Sequence, residues 1–156
     1  MCSIIGYYGN GNAAPILVKG LRRMEYRGYD SVGIATKSNN QILVKKGVGK
    51  VDEVNNMFQL DKLPGNVGLG HTRWATHGKV TDANAHPHSS NSGKIAIVHN
   101  GIIENFSDLK AELQKEGYTF QSETDSEVIA NLLQKNFDDT SDIKSSIRAT
   151  ISRLNG

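Results

Sequence analysis

Residues 3–8, SIIGYY, decide the beginning of the fold and directly follow the chain's single cysteine, Cys2. This stretch is mostly apolar and suited to a β-strand, and the turn-forming residues 9–12, GNGN, interrupt it. The pattern predicts a first strand at the extreme N-terminus. The one thiol of the chain therefore lies beside the start of that strand.

The segment after the turn predicts a helix. Asn12 can cap it, and Pro15 stands in its first turn. Apolar residues recur at helical spacing at Leu17, Leu21 and Met24. Gly28 is the predicted stop.

Extended segments dominate the middle of the chain, and helices its last third. Residues 31–36 and 41–45 flank Asn39-Asn40, whose tolerance of left-handed conformations predicts a hairpin. Two further extended runs are 67–74 and 94–104. The helical signals are a segment from Ser107 to Gly117, a capping box of Thr124 and Glu127, and an apolar stripe of Ile143, Ile147, Ile151 and Leu154. This order predicts an α+β fold with mainly antiparallel sheets.

The composition excludes several classes of function. Lys and Arg total 18 against 16 Asp and Glu, so the formal net charge is +2 and no strong field selects nucleic acid. No apolar run approaches the roughly 20 residues of a membrane span, and no basic leader precedes the first strand. We therefore expect a cytoplasmic protein that binds neither nucleic acid nor a membrane. A single cysteine also excludes an internal disulfide.

Cys2 can combine a nucleophile and a base in one residue. Removal of Met1, usual before a small residue, would leave Cys2 with both a thiol and a free α-amine. An α-amine has an ordinary pKa of about 7.7–8.0, so a useful fraction is neutral near pH 7 and can accept the thiol proton. N-terminal nucleophiles are activated in this way. The alternative is a small buried apolar residue, since free cysteine is among the most buried residue types.

Three further segments carry candidate polar groups. Residues 71–78, HTRWATHG, follow a strand and combine an arginine with the only tryptophan and two histidines. His99-Asn100-Gly101 ends an apolar run and is either a hairpin turn or an oxyanion hole made by the Asn100 amide and the Gly101 N–H. Residues 123–127, ETDSE, open a helix, where carboxylates either cap the helix or pair with a substrate ammonium.

The histidines do not predict a metal site. His86 and His88 flank Pro87 and lack the helical His-Glu-x-x-His spacing, and no carboxylate stands at a diagnostic offset. We therefore predict neither a metal nor a cofactor.

Together these segments resemble the class II glutamine amidotransferases. They occur in that family's order: Cys2, residues 21–31 (LRRMEYRGYDS), 71–78, 84–88 (NAHPH), 99–105 (HNGIIEN) and 122–127 (SETDSE). Residues 25–31 and 71–78 favour the branch that forms glucosamine 6-phosphate from fructose 6-phosphate. The phosphoribosyl-pyrophosphate amidotransferases and asparagine synthetases share only the general arrangement of these segments.

The resemblance implies a fold, a reaction and a set of roles. The fold is the four-layer αββα sandwich of the N-terminal nucleophile (Ntn) hydrolases. In the implied reaction, Cys2 attacks the side-chain amide of glutamine, with its own α-amine as base, and passes through a thioester to release glutamate and ammonia. Asn100 and Gly101 would form the oxyanion hole. Arg73 would hold the α-carboxylate of glutamine and Asp125 its α-ammonium.

Three more residues belong to the implied glutamine site. Trp74 and His77 would lie on a loop that closes over glutamine and guides ammonia, and Arg27 would support the surroundings of the nucleophile. Ser3 stands where the family usually has glycine directly after the nucleophile. Because serine is small, we expect activity to survive this difference.

The resemblance covers residues 2–156, which correspond to the N-terminal portion of a glutaminase domain. The remaining glutaminase strands and both isomerase domains are absent from this chain, and fructose 6-phosphate would bind only through those domains. Their absence would leave open sheet edges and an uncovered helix, so we expect marginal stability and self-association of the isolated chain. The full-length enzyme is expected to be a homo-oligomer.

Three alternatives stay open from the sequence. The chain could be a catalytically silent glutamine-binding or regulatory module, which would bind glutamine without releasing ammonia. It could be the glutaminase part of another class II amidotransferase. A histidine-based metal hydrolase would contain metal when purified and would be inhibited by chelators.

Overall fold

A computed structural model describes residues 1–75 and 79–156, and the chain divides into two compact units. Unit 1 comprises Met1–Pro87 and Val98–Asn100. Unit 2 comprises His88–Ile97 and Gly101–Gly156.

Unit 1 is a sheet with helices. Its described elements follow the order β1 (Ser3–Tyr8), α1 (Ala13–Met24), β2 (Ser31–Ser38), β3 (Gln41–Val48), α2 (Val51–Phe58) and β4 (Val67–Arg73). Short 3-10 turns follow the two helices at Glu25–Arg27 and Leu60–Lys62.

The four strands described in unit 1 pair in the order β1-β4-β2-β3, and each of these pairings is antiparallel. The register sets Ser3 opposite Thr72 and Ser31 opposite Arg73. The N-terminus therefore lies beside the C-terminal end of β4. The core of this unit is formed by apolar side chains of α1, α2, β2 and the segment after α2: Ala13, Ala14, Leu17, Val18, Leu21, Val32, Ile34, Val51, Val54, Leu60 and Leu63.

The local predictions for unit 1 are confirmed. Strand β1 covers the expected residues 3–8. The side chain of Asn12 caps α1 by accepting a hydrogen bond from the Ala14 amide at 3.4 Å. The hairpin of β2 and β3 turns at Asn39 and Asn40, whose φ angles are +48° and +63°. Helix α2 had no corresponding prediction.

Unit 2 contains a short strand pair and three helices among its described residues. They are β5 (His88–Ser89), β6 (Ala96–Ile97), α3 (Phe106–Lys115), α4 (Ser126–Thr140) and α5 (Ile143–Ile151). Leu109 and Leu113 of α3 pack with Val128 and Leu132 of α4, as their helical spacing predicts. Gly117 follows α3 with a φ of +93°, a conformation that suits glycine at the end of a helix.

Two predictions for the second half of the chain, the extended run 94–104 and the capping box of Thr124 and Glu127, are wrong in detail. The extended run 94–104 contains only the two-residue strand β6, because its later backbone groups have other partners. Within unit 2, the Ile103 amide donates to Asp125 Oδ2 at 2.6 Å and the Glu104 amide donates to the Asn155 carbonyl at 2.7 Å. Asn100-Gly101 is therefore not the turn of a hairpin.

The predicted capping box of Thr124 and Glu127 takes a different form. Helix α4 begins at Ser126, and its N-cap residue is Asp125, without a capping side-chain hydrogen bond. Glu127 accepts hydrogen bonds from the amides of Gln121 at 2.9 Å and Ser122 at 2.7 Å. The Glu127 carboxylate therefore accepts hydrogen bonds from backbone amides that precede the helix, and not from its N-cap residue.

Candidate functional site

The antiparallel pairing of β1 and β4 brings Cys2 to the segment that follows β4. The Trp74 amide donates a hydrogen bond to Cys2 Sγ at 3.2 Å, and the thiol can donate to the Trp74 carbonyl at 3.6 Å. The Cys2 residue is half-buried. The Trp74 backbone thus presents both a hydrogen-bond donor and a hydrogen-bond acceptor to the sulfur.

The segment around Gly28 supports this backbone. A Cβ atom on Gly28 would lie 2.9 Å from the Arg73 carbonyl carbon and 3.0 Å from the Trp74 amide nitrogen. Asp30 holds the same segment, since its amide donates to the Arg73 carbonyl at 3.0 Å and its Oδ2 accepts from the Ala75 amide at 2.7 Å. The peptide that contacts the thiol is thus packed closely against residues 28–30.

Asn100 lies beside the cysteine and is bonded at both ends of its amide. Asn100 Nδ2 donates to the Cys2 carbonyl at 3.4 Å. Asn100 Oδ1 lies 2.8 Å from Nε2 of His71, which belongs to β4. The amide is therefore held between the start of β1 and the end of β4.

His71 is a buried, neutral histidine. It is 1% exposed, and burial lowers its pKa to about 4, with the positive charge of Arg73 acting in the same direction. The hydrogen bond to Asn100 opposes this shift. The ring stacks on His86, with 4.3 Å between the ring centroids and 18° between the planes.

Lys46 of β3 organises the segment that carries His86. Its ammonium donates to the carbonyls of Ala83 at 3.1 Å, Ala85 at 2.6 Å and Pro87 at 3.1 Å. An ammonium has three N–H donors, and each finds a backbone acceptor here. Lys46 therefore fixes residues 83–87 against the sheet.

The other predicted site residues of unit 1 lie near the same strand end. Arg73 is 7% exposed, and its Nη1 donates to the Lys79 carbonyl at 3.3 Å. Trp74 is 41% exposed and packs edge-on against Tyr29, with 5.2 Å between the ring centroids. Arg27 contacts Met1 through Nη2 and Sδ at 3.9 Å. His77 lies outside the described residues.

Two predicted site residues belong to unit 2. Gly101 directly follows Asn100 in the chain, and Asp125 precedes helix α4. The contact between Asp125 and the Ile103 amide ties the segment after Gly101 to the start of α4.

Ser3 is accommodated next to the nucleophile. The residue is 4% exposed, and its hydroxyl donates to the Met24 carbonyl at 3.4 Å, near the end of α1. The hydroxyl that distinguishes this chain from the usual glycine therefore has a hydrogen-bond partner.

The sequence gives little indication of the contacts made by three residues near the site. Lys46 resembles any exposed lysine in the sequence, and Gly28 is predicted only as the end of a helix. His71 was visible in the motif, but its bond to Asn100 depends on the register of β4. Only contacts between residues distant in sequence distinguish these positions.

The described residues contain neither a cluster of metal ligands nor a membrane-spanning helix. In residues 1–75 and 79–156, no three His, Cys, Asp or Glu side chains come together as a candidate metal site. None of the helices described is long and apolar enough to cross a membrane.

The chain is similar to a family of glutamine amidotransferases and to individual glutamine-dependent aminotransferases. Residues 56–144 match the family described as the glutamine amidotransferase domain. The glutamine–fructose-6-phosphate aminotransferase (isomerizing) of Pyrococcus horikoshii is 54% identical over 100% of this chain, which spans 26% of that protein. The enzyme of the same name from Bacteroides thetaiotaomicron is 55% identical over 86% of this chain and 22% of its own length. The chain thus spans about a quarter of the length of these relatives.

Solved structures share the fold. The glutamine phosphoribosylpyrophosphate amidotransferase from B. subtilis, complexed with ADP and GMP, has a TM-score of 0.82 and 31% identity. The match covers 100% of this chain and 33% of that one. A structure described as the allosteric regulatory enzyme of purine biosynthesis has a TM-score of 0.84, also at 31% identity, over 34% of its length. The prediction of an α+β fold of the Ntn amidotransferase type is confirmed.

Proposed function

Because the chain belongs to the glutamine amidotransferase family, we propose that it carries out the glutaminase half-reaction of a glucosamine 6-phosphate-forming enzyme, with Cys2 as the nucleophile. The observation that supports this role most directly is the convergence of donors on Cys2. The Trp74 amide lies 3.2 Å from the sulfur, and the Asn100 amide nitrogen lies 3.4 Å from the Cys2 carbonyl.

The proposed reaction begins after removal of Met1, which is 76% exposed and accessible to an aminopeptidase. The free α-amine of Cys2 accepts the thiol proton, and the sulfur forms a bond to the amide carbon of glutamine. The proton passes to the leaving nitrogen, which departs as ammonia. Water then cleaves the thioester to give glutamate and restores the thiol.

Four further residues take part in the proposed site. Asn100 Nδ2 and the Gly101 N–H stabilise the oxyanion that develops on the amide oxygen. The Arg73 guanidinium binds the α-carboxylate of glutamine, since a planar fork matches a carboxylate. Asp125 binds the α-ammonium. These pairings give both charges of the amino acid an opposite partner.

Trp74, His77 and Arg27 complete the proposal. Trp74 is an exposed aromatic side chain next to the nucleophile, which suits a residue that covers bound glutamine. His77 follows Trp74 by three positions in the sequence, and its proposed role is to help guide ammonia. Arg27 contacts Met1, the residue that must leave before Cys2 can act, and so lies beside the new N-terminus.

The second half-reaction belongs to a longer protein. Ammonia would be transferred to fructose 6-phosphate by sugar-phosphate isomerase domains outside residues 2–156. The proposal includes a cytoplasmic, homo-oligomeric enzyme that needs no cofactor for the glutaminase step, in line with the similarity to the aminotransferases.

The test is the intact mass of the chain before and after exposure to 6-diazo-5-oxo-norleucine, an electrophilic glutamine analogue. The chain is first treated with methionine aminopeptidase, so that the α-amine of Cys2 is free. We expect one adduct, mapped to Cys2, whose formation excess glutamine suppresses. Ammonia release from glutamine is measured in parallel.

The Cys2→Ala variant is the control, since it should take up no label and release no ammonia. A processed chain that binds glutamine but takes up no label would contradict the proposal and favour a silent glutamine-binding module. Label that glutamine does not suppress would show a reactive thiol without a glutamine site.

A further inference from the structure

The Asn100 amide can satisfy both of its contacts in one orientation only. The Cys2 carbonyl can accept a hydrogen bond but not donate one, so the NH2 end of the amide must face it at 3.4 Å. The amide oxygen then faces His71 Nε2 at 2.8 Å. Because that oxygen can only accept, His71 must donate through Nε2–H.

The surroundings of His71 keep its ring in the plane that this bond requires. His71 is paired on both sides of β4, opposite Ile4 of β1 and Gly33 of β2. Its ring stacks on His86 at 4.3 Å. His86 in turn accepts a hydrogen bond at Nδ1 from the His99 amide at 3.4 Å, directly before Asn100.

The orientation of the Asn100 amide matters because its two ends have opposite polarity. With the NH2 end toward Cys2, the side chain offers a donor where negative charge would develop. With the amide reversed, it would offer an oxygen there and repel that charge. Rotation of an asparagine amide needs only a change in χ2, so an isolated side chain would not be held in one orientation.

We propose, on the basis of the glutaminase function proposed above, that His71 is a positioning residue whose Nε2–H bond to Asn100 Oδ1 holds the amide with its NH2 group toward Cys2. His71 does not touch glutamine in this assignment. It acts through Asn100, and its contribution should be confined to the step in which the oxyanion forms.

Two substitutions separate this role from simple packing. His71→Phe keeps an aromatic ring for the stack on His86 but removes the donor. His71→Gln loses the ring but can present an amide N–H near the position of Nε2. We expect kcat for glutamine hydrolysis to fall about 10²-fold in His71→Phe, with little change in KM. His71→Gln should recover most of that loss.

A packing role predicts the opposite order, with His71→Phe active and His71→Gln impaired, and that order would overturn the inference. Alkylation of Cys2 by iodoacetamide serves as a control in each variant, because it forms no oxyanion. Its rate should stay close to that of the unmodified chain if the thiol and the fold are intact.

A double variant tests whether His71 acts through Asn100. If it does, adding His71→Phe to Asn100→Ala should cost nothing further, because the amide to be oriented is gone. Additive losses would show that His71 acts by another route and would overturn the inference.

A measurement on the unmodified chain is independent of activity. Nitrogen-15 NMR of the histidine rings at neutral pH should show His71 as the neutral Nε2–H tautomer. Either the Nδ1–H tautomer or a protonated ring would overturn the inference.

The failure of the proposed function and the failure of the role of His71 give different results. A chain without glutaminase activity would refute the proposed function, whereas an active chain with a fully active His71→Phe variant would refute only the role of His71.

Discussion

Gly28 is a single residue on which the geometry around Cys2 depends. Its hydrogen faces the Arg73–Trp74 peptide, where a Cβ atom would lie 2.9 Å from the carbonyl carbon. Backbone atoms cannot yield as a flexible side chain can, so Gly28→Ala must displace the peptide that contacts the thiol. We expect a loss of about 1–3 kcal/mol in the free energy of unfolding. Denaturant unfolding followed by the fluorescence of Trp74, the only tryptophan, measures it.

Gly6→Ala is the matched control, because a Cβ atom on this strand glycine would meet nothing within 4 Å. Its unfolding midpoint should stay the same or rise slightly. Equal losses in the two variants would mean that the close approach at Gly28 has no special effect.

The buried His71 makes stability depend on pH. Its pKa is lowered to about 4 in the folded chain, whereas an unfolded histidine has a pKa of about 6.5. Between these values the unfolded state binds more protons, so stability is complete above pH 6.5 and falls as the pH drops toward 4. Arg73 and His99 add positive charge near the ring and act in the same direction.

Between pH 6.5 and pH 4, we expect His71 to lower the free energy of unfolding by up to about 3 kcal/mol. Denaturant unfolding at a series of pH values checks it, with His71→Gln as the comparison. The variant should lose stability less steeply between pH 6.5 and 4. Parallel curves for the two proteins would contradict a neutral, buried His71.

At the scale of elements, Lys46 connects strand β3 to the segment 83–87. The three carbonyls that its ammonium binds come from Ala83, Ala85 and Pro87. Lys46→Met keeps the length of the side chain and removes all three donors. Because hydrogen bonds to a charged group contribute more than neutral ones, we expect a loss of about 2–3 kcal/mol in unfolding free energy. Chemical denaturation measures it.

Lys45→Met on the same strand is the graded control for this element. Lys45 donates to one carbonyl, that of Phe58, at 2.6 Å. Lys45→Met should lower the free energy of unfolding clearly less than Lys46→Met does. If Lys46→Met also broadens the NMR signals of His86, the segment 83–87 has lost its fixed position, as the contacts require.

At the scale of the whole chain, helix α5 leaves an apolar stripe in contact with water. Ile143, Ile147 and Ile151 are 47%, 42% and 64% exposed. Exposed apolar patches favour association, so we expect the chain to self-associate as its concentration rises. Ile151→Glu should shift the association to higher concentration while changing stability by no more than about 0.5 kcal/mol.

Sedimentation velocity over a concentration series measures this effect. Lys144→Gln is the control, because it lowers the net charge by the same amount at an exposed position of the same helix. Self-association that Ile151→Glu leaves unchanged would contradict a role for the isoleucine stripe, and an equal reduction by Lys144→Gln would assign the effect to charge.

Elements with strong local signals were predicted well. Asn12 before α1, Asn39-Asn40 in the hairpin and Gly117 after α3 act through neighbours a few residues away, so the sequence contains the whole interaction. The run 94–104 failed for the converse reason. Its apolar residues match a strand, but the amides of Ile103 and Glu104 pair with residues 22 and more positions away.

The sequence by itself determined the types of chemistry available: one thiol next to the N-terminus, an arginine at a strand end, and an Asn-Gly pair after an apolar run. Only the tertiary structure decided which groups meet. Cys2 contacts Trp74 across 72 positions and Asn100 across 98, and Asn100 contacts His71 across 29. Such contacts depend on strand register, because a shift by one residue turns each side chain to the opposite face of the sheet.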